Sequence, residues 1–264
     1  MKVYISADIE GTTGVTHWDE TELGKGEYEP AREQMTAEVV AACEGALQAG
    51  ATEIWIKDAH DSARNIIASR LPREARLIRG WSGHPFMMMQ ELDSTFQSLI
   101  LVGYHSRMGS GGNPLSHTMS GNVTWLKIND RYASEFSLSA YTAALVKVPL
   151  AFVSGDKGLC DEVVQFNPHI TTVAVKEGVG SSTINIHPDL AVEQIRSEVV
   201  KAVTSAQKCL MLLPDRFTAE VRFRRPERAY QYGFFPGARQ TDSTTVQFDH
   251  DDFFEVMRFL LFVL

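Results

Sequence analysis

The hydrophobic positions along this chain follow two rhythms. Residues 1–7, 52–57, 98–103 and 149–154 are short runs rich in Val, Ile, Leu and aromatic side chains, as in strands buried within a sheet. Residues 27–49 instead place Met35, Val39, Val40, Ala42, Cys43, Ala46 and Leu47 at helical spacing, and Gly50 follows as a stop. The same reasoning predicts helices over 135–146 and from Asp156 to residue 166, and shorter ones over 62–70 and 85–92. Further strands are expected at 75–79 and 170–175. Residues 123–128 and 131–133 flank Asn129-Asp130, a pair suited to a hairpin turn. Strands alternating with helices in this way predict an α/β fold of three layers, a mainly parallel sheet between helices. After 178–182 the pattern changes to a helix (190–203), two alternating strands (218–223 and 244–248) and a last helix (251–264). The expected organisation is a larger α/β domain over 1–183 and a smaller α+β domain over 184–264.

Composition narrows the class without naming a chemistry. The 264 residues are 44% hydrophobic and 22% charged, as in ordinary folded domains. Lys and Arg number 25 against 33 Asp and Glu, a net charge of −8, which argues against a nucleic-acid partner. Cys43, Cys160 and Cys209 are far apart and form no CxxC pair, which fits reduced thiols in a cytoplasmic protein. The opening apolar run is short and meets Asp8, so no signal peptide is expected. The apolar stretch 253–264 is too short to span a bilayer and reads as a docking helix.

The polar residues that interrupt this pattern fall at strand ends. Asp8 and Glu10 follow the first strand, and glycine comes immediately after. Residues i and i+2 of an extended segment share a face, so these carboxylates converge and repel unless a cation lies between them. Other strands run into Asp58 and His60, into His105, and into Asp156. Ligands of open α/β sheets bind beyond the carboxyl ends of the strands, so these groups meet at one edge. Mixed nitrogen and oxygen donors suit zinc, with manganese or cobalt as alternatives. Asp8 is placed to bridge two ions. Asp58 and Asp156 have an equal claim as helix N-caps. His17, His84, His169, His187 and His250 stay unassigned, Met87 to Met89 read as core filling, and the glycine-rich loop 109–114 is either flexible or a cover.

With these residues assembled, the sequence resembles the zinc-dependent D-aminopeptidases of the M55 peptidase type. The matching pieces are Asp8-Ile9-Glu10-Gly11, Asp58-Ala59-His60, Gly103-Tyr104-His105, Ser116-His117-Thr118-Met119 and Ile128-Asn129-Asp130-Arg131 followed by Glu135. Ser154-Gly155-Asp156 and the runs 171–176 and 244–248 agree as well. The resemblance implies two zinc ions per chain, held by Asp8, Glu10, His60, His105 and Glu135, with Asp8 shared. It also implies that His117 is catalytic without being a ligand, as acid–base or as nucleophile, acid–base work being preferred. Removal of N-terminal D-residues, such as D-alanine, from short peptides and assembly into a decamer of stacked pentameric rings are implied in the same way. The stretch 107–115 departs from the family pattern, which bears on peptide specificity. The main rival is a magnesium phosphohydrolase of the haloacid-dehalogenase type, whose Asp-x-Asp-Gly-Thr signature is similar to residues 8–12, with Gly155-Asp156 and Asp161 as its distal acids. That chemistry has no use for His60 and His105, since magnesium prefers oxygen ligands. A peptide-binding ring protein without turnover is the non-enzymatic alternative.

Overall fold

A computed structural model describes residues 1–264. From the first residues, β1 (Lys2–Ala7) leads through a long loop to α1 (Tyr28–Gln48), β2 (Glu53–Asp58), β3 (Ala75–Ile78) and β4 (Ser98–Tyr104). The hairpin β5 (Val123–Ile128) and β6 (Arg131–Tyr132) precedes α2 (Glu135–Leu145), β7 (Leu150–Asp156), α3 (Lys157–Phe166), β8 (Thr171–Val179), β9 (Ser182–Asn185) and α4 (Pro188–Thr204). β10 (Phe217–Phe223), α5 (Pro226–Tyr232), β11 (Ala238–Gln240), β12 (Thr245–His250) and α6 (Phe253–Val263) follow.

Seven strands form one sheet in the order β3-β2-β1-β4-β7-β8-β9, all parallel except β9. The chain winds outward from β1 to β3, then returns to the middle and winds the other way from β4. The order therefore reverses between β1 and β4, and a crevice opens at such a switch point. Alternation along β1 feeds two cores. Val3 and Ile5 pack with Met35 and Val39 of α1 and Ile195 and Val199 of α4. Tyr4 faces the opposite layer, with Leu99, Leu101, Phe136 of α2 and Val163 of α3. The three-layer α/β fold is as expected.

A second, antiparallel sheet has the order β11-β12-β10-β5-β6. Its apolar face packs on α6 through Phe253, Val256, Phe259 and Leu260. The expected division at 183 and 184 does not follow the two sheets. β5 and β6 belong to the smaller sheet, whereas α4 lies on the larger one, because its Ala191, Ile195 and Val199 complete the core beside α1. No helix is long and apolar enough to cross a membrane.

Two expected helices do not form. Residues 62–70 and 85–92 contain only single 3-10 turns, at Ala68–Arg70 and Met87–Met89. Asp61 (φ 43°), Ala63 (φ 54°), Met87 (φ 46°) and Glu91 (φ 68°) adopt left-handed backbone, which a right-handed helix cannot contain. In the first segment the Asp58 carboxylate accepts the amides of Asn65 (2.6 Å) and Ile66 (2.8 Å), so those donors are satisfied outside any helix. β9, α5 and β11 were not expected from the apolar pattern; β9 and β11 are mostly exposed, and α5 buries only Ala229.

Candidate active site

The ends of β1 and β4 approach closely because two glycines permit it. Asp8 donates its amide to Val102 (2.9 Å) and Gly11 donates to Gly103 (2.8 Å). A Cβ on Gly11 would lie 1.7 Å from the Tyr104 carbonyl oxygen, and one on Gly103 would lie 2.2 Å from that of Asp8. Gly103 also has φ +70°, a conformation that L side chains disfavour. Asp8 and Glu10 on one side and His105 on the other are thereby held face to face.

His60 comes from just beyond β2, and Glu135 from the first turn of α2, whose start is capped by Ser134. The structure brings Asp8, Glu10, His60, His105 and Glu135 together, all buried. Asp8 Oδ1 lies 3.2 Å from His60 Nδ1, which is also 3.1 Å from Glu10 Oε2. Asp8 Oδ2 lies 3.7 Å from His105 Nε2, which is also 3.3 Å from Glu135 Oε2. His117 Nε2 stands 3.9 Å from Glu10 Oε1 and 3.6 Å from Glu135 Oε1. Its ring stacks on His105 at 4.4 Å and meets Trp18 edge-on at 5.4 Å. At 16% exposure its side chain is more open than those of His60 (8%) and His105 (0%).

Each imidazole has one nitrogen within hydrogen-bond distance of a backbone carbonyl. His60 Nε2 faces Thr21 (2.8 Å), His105 Nδ1 faces Ser106 (2.9 Å) and His117 Nδ1 faces Leu115 (3.0 Å). Donation to those oxygens leaves the opposite nitrogen with a free lone pair directed at the carboxylates, as in metal-ligating histidines.

The donor set fits divalent metal. Glu10 Oε2 and His105 Nε2 are buried without a hydrogen-bond partner, a costly arrangement unless another group completes it. Zinc bonds of about 2.0–2.1 Å in a tetrahedron separate neighbouring donors by roughly 3.3 Å, close to the three shortest separations above. Two groups, Asp8–Glu10–His60 and Asp8–His105–Glu135, could each hold an ion, and Glu10–His105–His117 forms a third. Without a cation, protons must balance the charge. Burial and the neighbouring Glu10 push Asp8 well above the usual carboxylate range. Burial also disfavours the charged forms of Glu135 and the two histidines, but their mutual attraction prevails. Glu135 is held down at about 2, while His60 and His105 rise well above the ordinary imidazole value. A metal ion would take the place of those protons.

A polar layer supports this cluster from behind. Asn113 donates to the Glu10 carbonyl (2.9 Å) and to Asp156 (3.2 Å), so the loop 109–114 is pinned under the site. Lys176 is buried and donates to the carbonyls of Glu10 and Val15, and burial brings its pKa down to about 8. The glycine-rich composition of the loop gave no hint of Asn113, and Lys176 stood out only within a matching run. Asp156 caps α3 through Leu159 (2.8 Å) and accepts from Ser106 (2.7 Å). Asp58 is likewise structural. The cluster opens into a cleft of about 700 Å³, whose walls include Trp18, Trp81 and Arg224. None of these three carries a sequence signal of its own.

The M55 peptidase family, whose description is D-aminopeptidase, matches residues 1–262. The chain belongs to this family. A D-aminopeptidase of Bacillus subtilis (strain 168) is 33% identical over 264 residues, 99% of this chain and 96% of that one. A solved structure of DppA from Bacillus subtilis, described as a zinc-dependent D-aminopeptidase and a self-compartmentalizing protease, matches with a TM-score of 0.94 at 32% identity. The match covers 100% of this chain and 96% of that one. As an M55 member the protein is an aminopeptidase, and the phosphohydrolase alternative falls. Its supposed distal acids are otherwise engaged, Asp156 as the α3 cap and Asp161 in an exposed pair with Lys157 at 2.5 Å.

Proposed function

We propose that this M55 aminopeptidase uses two zinc ions to remove an N-terminal D-residue, such as D-alanine, from short peptides. The observation that carries the reading is the division of Asp8, whose two oxygens face different histidine–carboxylate groups. His60 and Glu10 would hold one ion, His105 and Glu135 the other, with Asp8 shared between them. Bound zinc supplies a Lewis acid for the scissile carbonyl and acidifies water to near neutrality.

The chain's own residues do the rest. His117 receives the proton of the attacking water at Nε2 and passes it to the departing amine, so one group serves as base and then acid. The Leu115 carbonyl fixes the tautomer that makes this exchange possible. Trp18 braces the outer edge of the His117 ring. The Met119 amide donates to Glu135 Oε1 at 2.6 Å, which leaves Oε2 directed at His105.

The reading extends to a homo-oligomer of stacked pentameric rings, a decamer, acting in the cytoplasm. The self-compartmentalizing relative supports an assembly that restricts access to short peptides. Metal analysis of His117→Ala together with hydrolysis of D-Ala-D-Ala tests the catalytic part. The variant is expected to retain two zinc ions per chain while turnover falls by about 10²–10⁴. Full turnover would reject the role of His117, and no wild-type hydrolysis of D- or L-dipeptides would favour a silent peptide-binding ring.

A further inference from the structure

The cleft walls hold five carboxylates, Asp8, Glu10, Glu22, Asp61 and Glu135, and a single Lys or Arg, Arg224. Arg224 follows β10, where the pairing with β5 slips by one residue between Arg222 and Phe223. Such a bulge re-aims the residues at a strand end and is common beside active sites. The Arg224 amide then donates to the Asn122 carbonyl at 2.9 Å. That contact ties its backbone to the segment carrying His117 and Met119. Arg225 next to it pairs with Glu227 at 3.5 Å, whereas the Arg224 guanidinium forms no ion pair or hydrogen bond within the molecule. The Arg224 side chain is exposed and so remains open to a ligand entering this otherwise anionic cleft. An anionic group is its complement, and guanidinium groups match carboxylates in two-point geometry.

We propose that Arg224 binds the free C-terminal carboxylate of a short peptide, so that the cleft selects its substrate by length from the far end. This rests on the aminopeptidase reading above. A cleft of about 700 Å³ is of the size that encloses small ligands. The peptide's ammonium end lies towards the acidic cluster and its carboxylate towards Arg224. A peptide amide, or a chain too long to bring its terminus to the guanidinium, forfeits that contact. Arg224 is a specificity residue and stays out of the bond-breaking step.

The test compares D-Ala-D-Ala with D-Ala-D-Ala-amide in wild type, Arg224→Ala and Arg224→Lys. Wild type is expected to favour the acid through KM by about tenfold, the discrimination of one charge-assisted contact. Arg224→Ala loses that preference, its acid-to-amide ratio of kcat/KM falling to about one, and Arg224→Lys keeps part of it. Two of the four tryptophans line the cleft, so fluorescence titration with a reduced-bond dipeptide acid and its amide reads binding without turnover. It is expected to give the same ranking. Equal acid-to-amide ratios in wild type and Arg224→Ala overturn the proposal while amide turnover leaves the aminopeptidase reading intact. Wild type inactive on both compounds overturns the two together.

Discussion

Gly11→Ala puts the junction of β1 and β4 to the most direct test. The added Cβ would stand 1.7 Å from the Tyr104 carbonyl oxygen and 2.5 Å from its carbon. Both are backbone atoms of a fully buried strand, so no side chain can rotate away. Relief to even 3.0 Å demands about 1.3 Å of movement, whereas metal bonds tolerate about 0.2 Å. The strand ends must part, and the Gly11-to-Gly103 hydrogen bond goes with them. Overpacking of this kind costs about 1–3 kcal/mol or more, and the lost hydrogen bond about 1 kcal/mol. For a chain of this size that lowers the melting temperature by roughly 5–15 °C. The assay is calorimetric melting together with zinc per chain by atomic emission after dialysis. Zinc content is expected to fall along with stability, because Asp8 and Glu10 move relative to His105. Gly26→Ala is the control, since nothing lies within 4 Å of the added Cβ there. Undiminished zinc and an unchanged melting temperature in Gly11→Ala would show that the strand ends do not depend on this contact.

Two further outcomes follow from the buried charges. His60→Ala and His105→Ala are each expected to lower zinc stoichiometry, and normal metal content in either would remove that residue from the ligand set. Glu38 is fully buried beneath the Thr13 amide, and burial raises it from 4.5 to about 7. The folded protein then holds more protons than the unfolded chain between those values, so this group withdraws stability as pH rises through that window. Glu38→Gln lacks the penalty, and its advantage over wild type in urea unfolding should grow from pH 5 to pH 8, by at most about 3 kcal/mol. An offset that stays flat with pH would refute the assignment.

The strand-end logic made much of the site legible. Four of the parallel strands, β1, β2, β4 and β7, signal their carboxyl ends through the residue that breaks the apolar run, which is how Asp8, Glu10, His60 and His105 could be placed on one edge. Glu135 could not be found that way, because a carboxylate in the first turn of a helix has an ordinary reason to be there. Asp58 and Asp156 show the converse. They stand at the same edge, yet their oxygens are consumed by the amides of Asn65 and Ile66 and of Ser106 and Leu159. The hairpin at Asn129 and Asp130 was readable because both residues take left-handed backbone, φ 51° and 63°, for which that pair is suited. Where the hairpin belonged was not readable, since the edge of β5 is completed by a strand far along the chain. Trp18, Trp81 and Arg224 were hidden for a simpler reason. Isolated loop residues become walls only when folding gathers them.

That distant pairing has a consequence for how the protein is made. Ile128 lies opposite Ala219, and Val123 opposite Phe223, so β5, paired early with the short β6, must wait for roughly ninety more residues before its second neighbour exists. At about 5–20 residues per second, the ribosome leaves that edge open for roughly 5–20 s. Val123, Leu126 and Ile128, which end up among the buried residues of the smaller core, lack the cover of β10, β12 and α6 throughout. The larger sheet can pair β1, β2, β4 and β7 by the end of that interval, whereas β5 has only the two-residue β6 beside it. The nascent chain is therefore most prone to association between the emergence of β5 and that of β10.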